Sequence, residues 1–403
     1  MSKLFAFEEL DNDVVEGELE ATPEVGEVAD VQVDVMEEGG EIEEQSTAID
    51  EGVDAADQME EVEALVEQAA EEGEGLDPVA AESLRIAVEA ICARVGANPK
   101  SMYALYATEN FQSASSRKAN TRFALEGVSE FLKDLWKKIK AALTNLWAKV
   151  KAFWEKHLSS LGRTKKAIES MKAKVSSSSG KIEGPAYIEE APSYLNDALG
   201  GGELTVKSFK DLISAHEKFL DEASVIAEKT AEYNRQASTV TDIEKVIASL
   251  TDGNKEVKGL VGGVDIKFIF ETDAEEGTVN FEIERTVADK KDKGGVALAD
   301  KAGLKGLLDD VLKLINNTIK SKEKSVKLQE SFNKYSAAVE KAINATVDSH
   351  EKAEEAKKLR KAMKIAYKIN AKAPVIQNEG VAMNVRLAKV ALGYAGLCLK
   401  KYK

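Results

Sequence analysis

Proline is scarce, with 6 in 403 residues, and aromatic residues make up only 6% of the chain. Few breakers and few large rings argue against a sheet-rich enzyme core and for long helices around modest cores. Cysteine is nearly absent. Cys92 and Cys398 stand in different regions, form no metal-spaced pair and no disulfide framework, and suit a reducing compartment. Histidine is as rare: His157, His216 and His350 lie far apart, and none belongs to a ligand-spaced cluster. His216 falls on an apolar helical face, where a core role is expected. There is no HExxH, no CxxC pair, no GxSxG elbow and no phosphate loop around Gly180-Lys181. The sequence therefore predicts no catalytic residue, no cofactor, no metal and no enzyme. A secretory leader and a run of ~20 apolar residues are also not seen, so a soluble chain is expected.

One sign of charge is missing from the front of the chain. From Glu8 to Asp77 nearly every third residue is Asp or Glu, and no Lys or Arg occurs. Residues 1–126 hold 32 acidic and 7 basic side chains, a net of −25; against −16 for the whole, this leaves +9 on the other 277. Self-repulsion and sparse apolar area predict a disordered acidic region over 1–126, with a short helix at Met59–Ala70 and another after Asp77-Pro78. A further helix is expected at Ser101–Glu109, and Gln112–Thr121 reads as an exposed linker.

What the chain does contain is helical periodicity. From Val128 to Leu161 apolar residues recur in steps of three and four through Leu132, Leu135, Trp136, Ile139, Leu143, Leu146, Trp147, Val150, Trp154 and Leu158. Lysines, among them Lys137 and Lys138, fill the rest. This amphipathic segment, assigned to 127–175, carries all three tryptophans, Trp136, Trp147 and Trp154. Three roles fit it: packing on the body, lying on a membrane surface, or docking on partner copies.

Residues 187–403 read as a helical bundle interrupted once. Strict alternation at Val264, Ile266, Phe268 and Phe270, then at Val279, Phe281 and Ile283, predicts a β-hairpin over 264–284 whose apolar face lies on helices. Helices are expected over Val206–Leu250, from Leu304 to Ile343, over Val347–Ala371 stopping before Pro374, and over Glu379–Lys401. The fold class is mainly α, or α+β by strict count. Late lysines and one arginine (Lys357, Lys358, Arg360, Lys361, Lys364 and Lys368) are candidate contacts to nucleic-acid phosphates, sequence-independent and salt-sensitive; a solvated helix face is the alternative.

At Ala124-Leu125-Glu126, followed by Gly127, the chain turns from net acidic to net basic. Such a small residue-x-Glu site resembles those cut by prohead maturation proteases of giant phiKZ-like tailed phages. An acidic propeptide ahead of a helical body is likewise similar to the internal head (inner body or core) proteins of those phages. The resemblance implies a non-enzymatic virion protein in the capsid interior, cut near Glu126. Its implied partners are other core proteins, itself, the protease and packaged DNA. A membrane-associated helical bundle and a self-associating scaffold remain the competing classes.

Overall fold

A computed structural model describes residues 23–71, 74–97, 111–180, 186–189, 192–199, 201–237, 255–273, 278–287, 293–345 and 350–401. The helices are α1 (Pro23–Glu71), α2 (Pro78–Arg94), α3 (Ala114–Ser177), α4 (Ser193–Leu199), α5 (Val206–Ala237), α6 (Lys301–Ala345) and α7 (His350–Leu399). The strands are β1 (Tyr187–Ile188), β2 (Gly202–Leu204), β3 (Lys255–Leu260), β4 (Val264–Asp273), β5 (Thr278–Val287) and β6 (Lys293–Ala297). The mainly α class stands. The chain forms two compact units: residues 44–148, and residues 1–43 with 149–403.

The 44–148 unit is a three-helix bundle of the second half of α1, α2 and the first half of α3. Asp77 caps α2 through a 2.8 Å hydrogen bond from the Ala80 N–H, and Pro78 opens it, as the sequence predicts. Gly75 is required at the entry turn. Its φ is +89°, and a Cβ there would meet the Arg117 backbone carbon at 2.6 Å. Ile49, Val53, Met59 and Val66 of α1 close on Leu84, Val88 and Ile91 of α2 and on Val128, Leu132, Ile139 and Leu146 of α3, all buried. α1 and α3 run antiparallel here: Gln45 donates to the Ala142 carbonyl, Gly52 lies under Ile139, and Ser129 bonds Glu63.

In the larger unit α5, α6 and α7 form the main bundle. β3–β4–β5 is an antiparallel sheet laid on α5 and α7. The expected hairpin is β4–β5, with Phe270 opposite Phe281 and their rings stacked 4.3 Å apart. Ile266, Phe268 and Phe281 turn inward. The β3–β4 turn uses Gly262 and Gly263 at positive φ. Gly294 and Gly295 lie in β6, where a Cβ would strike Gly202 and Tyr187 of the neighbouring strands.

Four expectations are corrected. The acidic region is helix over Pro23–Glu71, because every seventh residue (Val28, Val35, Ile42, Ile49) is a buried apolar one that packing can hold. The 112–121 linker is largely the first turns of α3, which starts at Ala114 and runs 64 residues. α7 does not stop before Pro374 but passes through it. Proline there removes only the hydrogen bond to the Asn370 carbonyl, and both flanks are buried in the bundle. Finally, Leu359–Leu399 is long and apolar enough by length and composition to cross a membrane, yet 78% of its apolar window is buried within the protein. The helix expected at 101–109 and the end of the one expected to reach Leu250 lie outside the described residues.

Candidate functional surfaces

The tryptophan helix turns its rings inward. Trp147 and Trp154 are each 2% exposed and Trp136 is half-buried. Phe153 sits edge-on to Trp154 at 6.0 Å and against His157 at 4.5 Å. Two interleaved series seven residues apart supply the buried seam: Leu132, Ile139, Leu146, Phe153, Ser160 and Ala167, and Leu143, Val150, His157, Thr164 and Met171. This face is therefore largely buried within the protein. The lysines occupy the other faces, with Lys133, Lys137 and Lys138 exposed.

Within the larger unit the acidic helix meets two further lysines of α3, Lys149 and Lys156. Lys149 pairs with Glu41 at 3.2 Å, and Lys156 pairs with Glu38 and, at 3.8 Å, with Asp34. His157, fully buried, reaches the other Glu38 oxygen at 2.8 Å. Burial raises the Glu38 carboxyl, but hydrogen bonds from Lys156 and His157 outweigh it and hold it below its ordinary value. α1 carries 18 acidic side chains and no basic one across its 49 residues; α3 carries 15 basic and 5 acidic.

Sequence reasoning missed a second contact of α1. Arg285 of β5 makes a fork to Glu379 of α7, at 2.7 and 3.0 Å, and a further 3.0 Å pair to Glu43 of α1. Burial disfavours the guanidinium's charge, yet the two carboxylates keep it above its ordinary range. Burial raises the Glu379 carboxyl, assisted by Glu43 and opposed by Arg285. One cation between two carboxylates leaves the cluster net anionic, so the upward direction for Glu379 is the physical one. A small pocket of about 80 Å³ beside it is lined by Val35, Gly39, Val264, Asn378 and Met383. With Arg285, Glu43 and Glu379 these residues are spread over four elements, and no local motif marks them.

His216 is a core residue, as expected, and it organises the bundle. Its Nε2 accepts from the Val261 N–H at 3.0 Å, so Nδ1 donates to Asn384 Oδ1 at 2.7 Å. Asn384 donates to Thr318, which donates to the Leu314 carbonyl. This relay ties the β3–β4 turn to α5, α7 and α6. Burial pushes the imidazole down to about 4, against the pull of Asn384.

The processing sequence lies in mid-helix. Ala124 and Gly127 are buried, Leu125 is half-buried and Glu126 is exposed on α3. Of the late basic residues, Arg360, Lys361, Lys364 and Lys368 are half-buried on α7, and the side chains of Lys357 and Lys358 lie outside the described residues. A different basic row emerges on α6, where Lys320, Lys327 and Lys334, spaced by seven, are exposed along a groove with Arg235 of α5. Among the described residues no group of three or more His, Cys, Asp or Glu could hold a metal. A family profile describing phiKZ-like phage internal head proteins matches residues 28–397. No curated protein and no solved structure matches the chain.

Proposed function

Because this chain belongs to the phiKZ-like phage internal head proteins, structural components lodged inside the phage capsid, we propose that its acidic helix α1 shields a basic body until proteolysis near Glu126. The carrying observation is the placement of α1: its carboxylates face Lys149 and Lys156 of α3 and Arg285 of β5. A helix with 18 acids and no base beside cationic side chains presents what a phosphate backbone would present. While it stays, those cations are answered within the chain.

Cleavage after Glu126 would leave residues 127–403 with a formal charge of +9, and α1 on a separate piece of −25. A protease binds its substrate extended, so α3 must open locally. Glu126 is exposed, and Gly127 costs the helix about 1 kcal/mol relative to alanine, which favours opening there. The released body would lie among packaged DNA phosphates through Arg360, Lys361, Lys364 and Lys368 and the Lys320–Lys327–Lys334 row. Its other partners would be core proteins, the maturation protease and further copies of itself. The inward-turned tryptophans favour this over a membrane-surface role.

Mass spectrometry of protein from mature heads tests the processing step. The expected result is a new N-terminus near Gly127; peptides spanning Glu126–Gly127 at full abundance would end the proposal. For the DNA step, full-length and 127–403 chains are compared by filter binding across a salt series. Tighter binding by the shorter chain, weakening steeply with salt, is expected, and equal binding by the two chains would overturn the shielding role of α1.

A further inference from the structure

α2 is a helix with two faces, and among the described residues only one of them is buried. Ala81, Leu84, Val88, Ile91 and Cys92 are buried in the three-helix bundle. On the opposite side lie Val79, Ser83, Ile86, Ala90 and Ala93, spaced four, three, four and three, all exposed. Val79 is 76% and Ile86 55% exposed. No charged residue interrupts this row. A coiled-coil seam has that spacing, with large residues at alternate layers and small ones between.

The charges flanking the row identify what covers it. In the heptad set by Val79 and Ile86, Glu82 and Glu89 take one flanking position, and Ala80, Ala87 and Arg94 take the other. A parallel pair of identical helices would place Glu89 of each copy beside Arg94 of the other, five residues on, twice by symmetry. An antiparallel pair would bring Glu82 against Glu89 instead, a repulsive contact. Within the chain Arg85 holds Glu82 at 2.5 Å and one Glu89 oxygen at 2.6 Å, and Arg94 donates one N–H to Gln58 Oε1 of α1 at 2.5 Å, so the pair would use the second Glu89 oxygen and the other guanidinium N–H groups of Arg94.

We propose that this outer face of α2 is a self-association seam, on which a second copy of the chain docks its own α2 in parallel and in register. Val79 then meets Val79, Ser83 meets Ser83 and Ile86 meets Ile86. A 17-residue helix offers less than the roughly 800 Å² per partner of a stable interface. The contact is therefore weak at dilution and forms at the concentrations of a packed capsid. It is independent of processing near Glu126 and of DNA contact.

Site-specific crosslinking of the full-length chain tests it. Cys92 and Cys398 are buried and give a quiet background. Ser83→Cys is treated with a short bismaleimide over rising protein concentration, beside Thr144→Cys, an exposed position on α3 away from the row. Expected is dimer from Ser83→Cys several-fold above the Thr144→Cys control, increasing with concentration. Adding Ile86→Lys or, separately, Val79→Glu should remove it while helicity is retained, since both side chains are mostly exposed. Equal yields from the two cysteines would overturn the proposal. So would a preference for Ser83→Cys joined to Ala90→Cys over Ser83→Cys joined to itself, which reports antiparallel pairing.

Discussion

His216 shows how one buried side chain makes a bundle sensitive to acid. Its relay requires the neutral ring with the proton on Nδ1, because Nε2 accepts from Val261. With the folded imidazole at about 4 and an unfolded one near 6.5, the unfolded chain takes up the proton first as pH falls. Stability is complete above about 6.5 and declines toward about 4, by on the order of 3 kcal/mol for this group. Urea denaturation at pH 7 and pH 4.5 should show that loss, and His216→Gln should flatten it. Arg285 obeys a different logic. Replacing it with methionine leaves Glu43 and Glu379 facing each other with no cation between them, a change worth roughly 3–5 kcal/mol in denaturant unfolding. Arg285→Met with Glu379→Met together should recover most of the loss, since the expense lies in the unpaired carboxylates.

At the scale of elements, α1 is the helix that its own sequence supports least. It contains Gly26, Gly39, Gly40 and Gly52, and no cation to offset its acids. A Cβ at Gly39 or Gly40 would meet nothing within 4 Å, whereas one at Gly52 would press Ile139 Cγ1 at 3.2 Å. Gly39→Ala and Gly40→Ala should each stabilise the helix by about 1 kcal/mol, read as slower amide hydrogen exchange across 35–45. Gly52→Ala should gain less or lose. The same poverty explains why this element was hidden. In α3 two buried positions recur every seven residues, and its period, its tryptophans and its lysines are plain in the sequence. In α1 one apolar position recurs, and the second interior series holds Gln32, Gly39 and Ser46. The self-repulsion that argued for disorder is answered by Lys149, Lys156 and Arg285, distant in sequence. The hairpin was legible because alternation is local; the Arg285 and His216 clusters were not, because each joins residues that only the fold brings together.

At the scale of the whole molecule, the question is what holds an acidic helix on a basic body. Glu41–Lys149 and Asp34–Lys156 are surface pairs with half or so of each side chain in water, worth 0–1 kcal/mol apiece and weakened by salt. The buried Val28, Val35 and Ile42 together contribute more, at roughly 1.5–3 kcal/mol per side chain. The charges thus decide what α1 competes with, and the apolar row decides whether it stays. Salt alone should not release it: in 1 M NaCl, amide exchange across 28–43 should remain slow. Val35→Asp with Ile42→Asp should open the same segment at low salt and give the uncut chain the salt-dependent DNA binding expected of the processed body. Protection lost in 1 M NaCl without substitution would mean that the ion pairs carry the helix, and that packaging conditions rather than cleavage could uncover the cations.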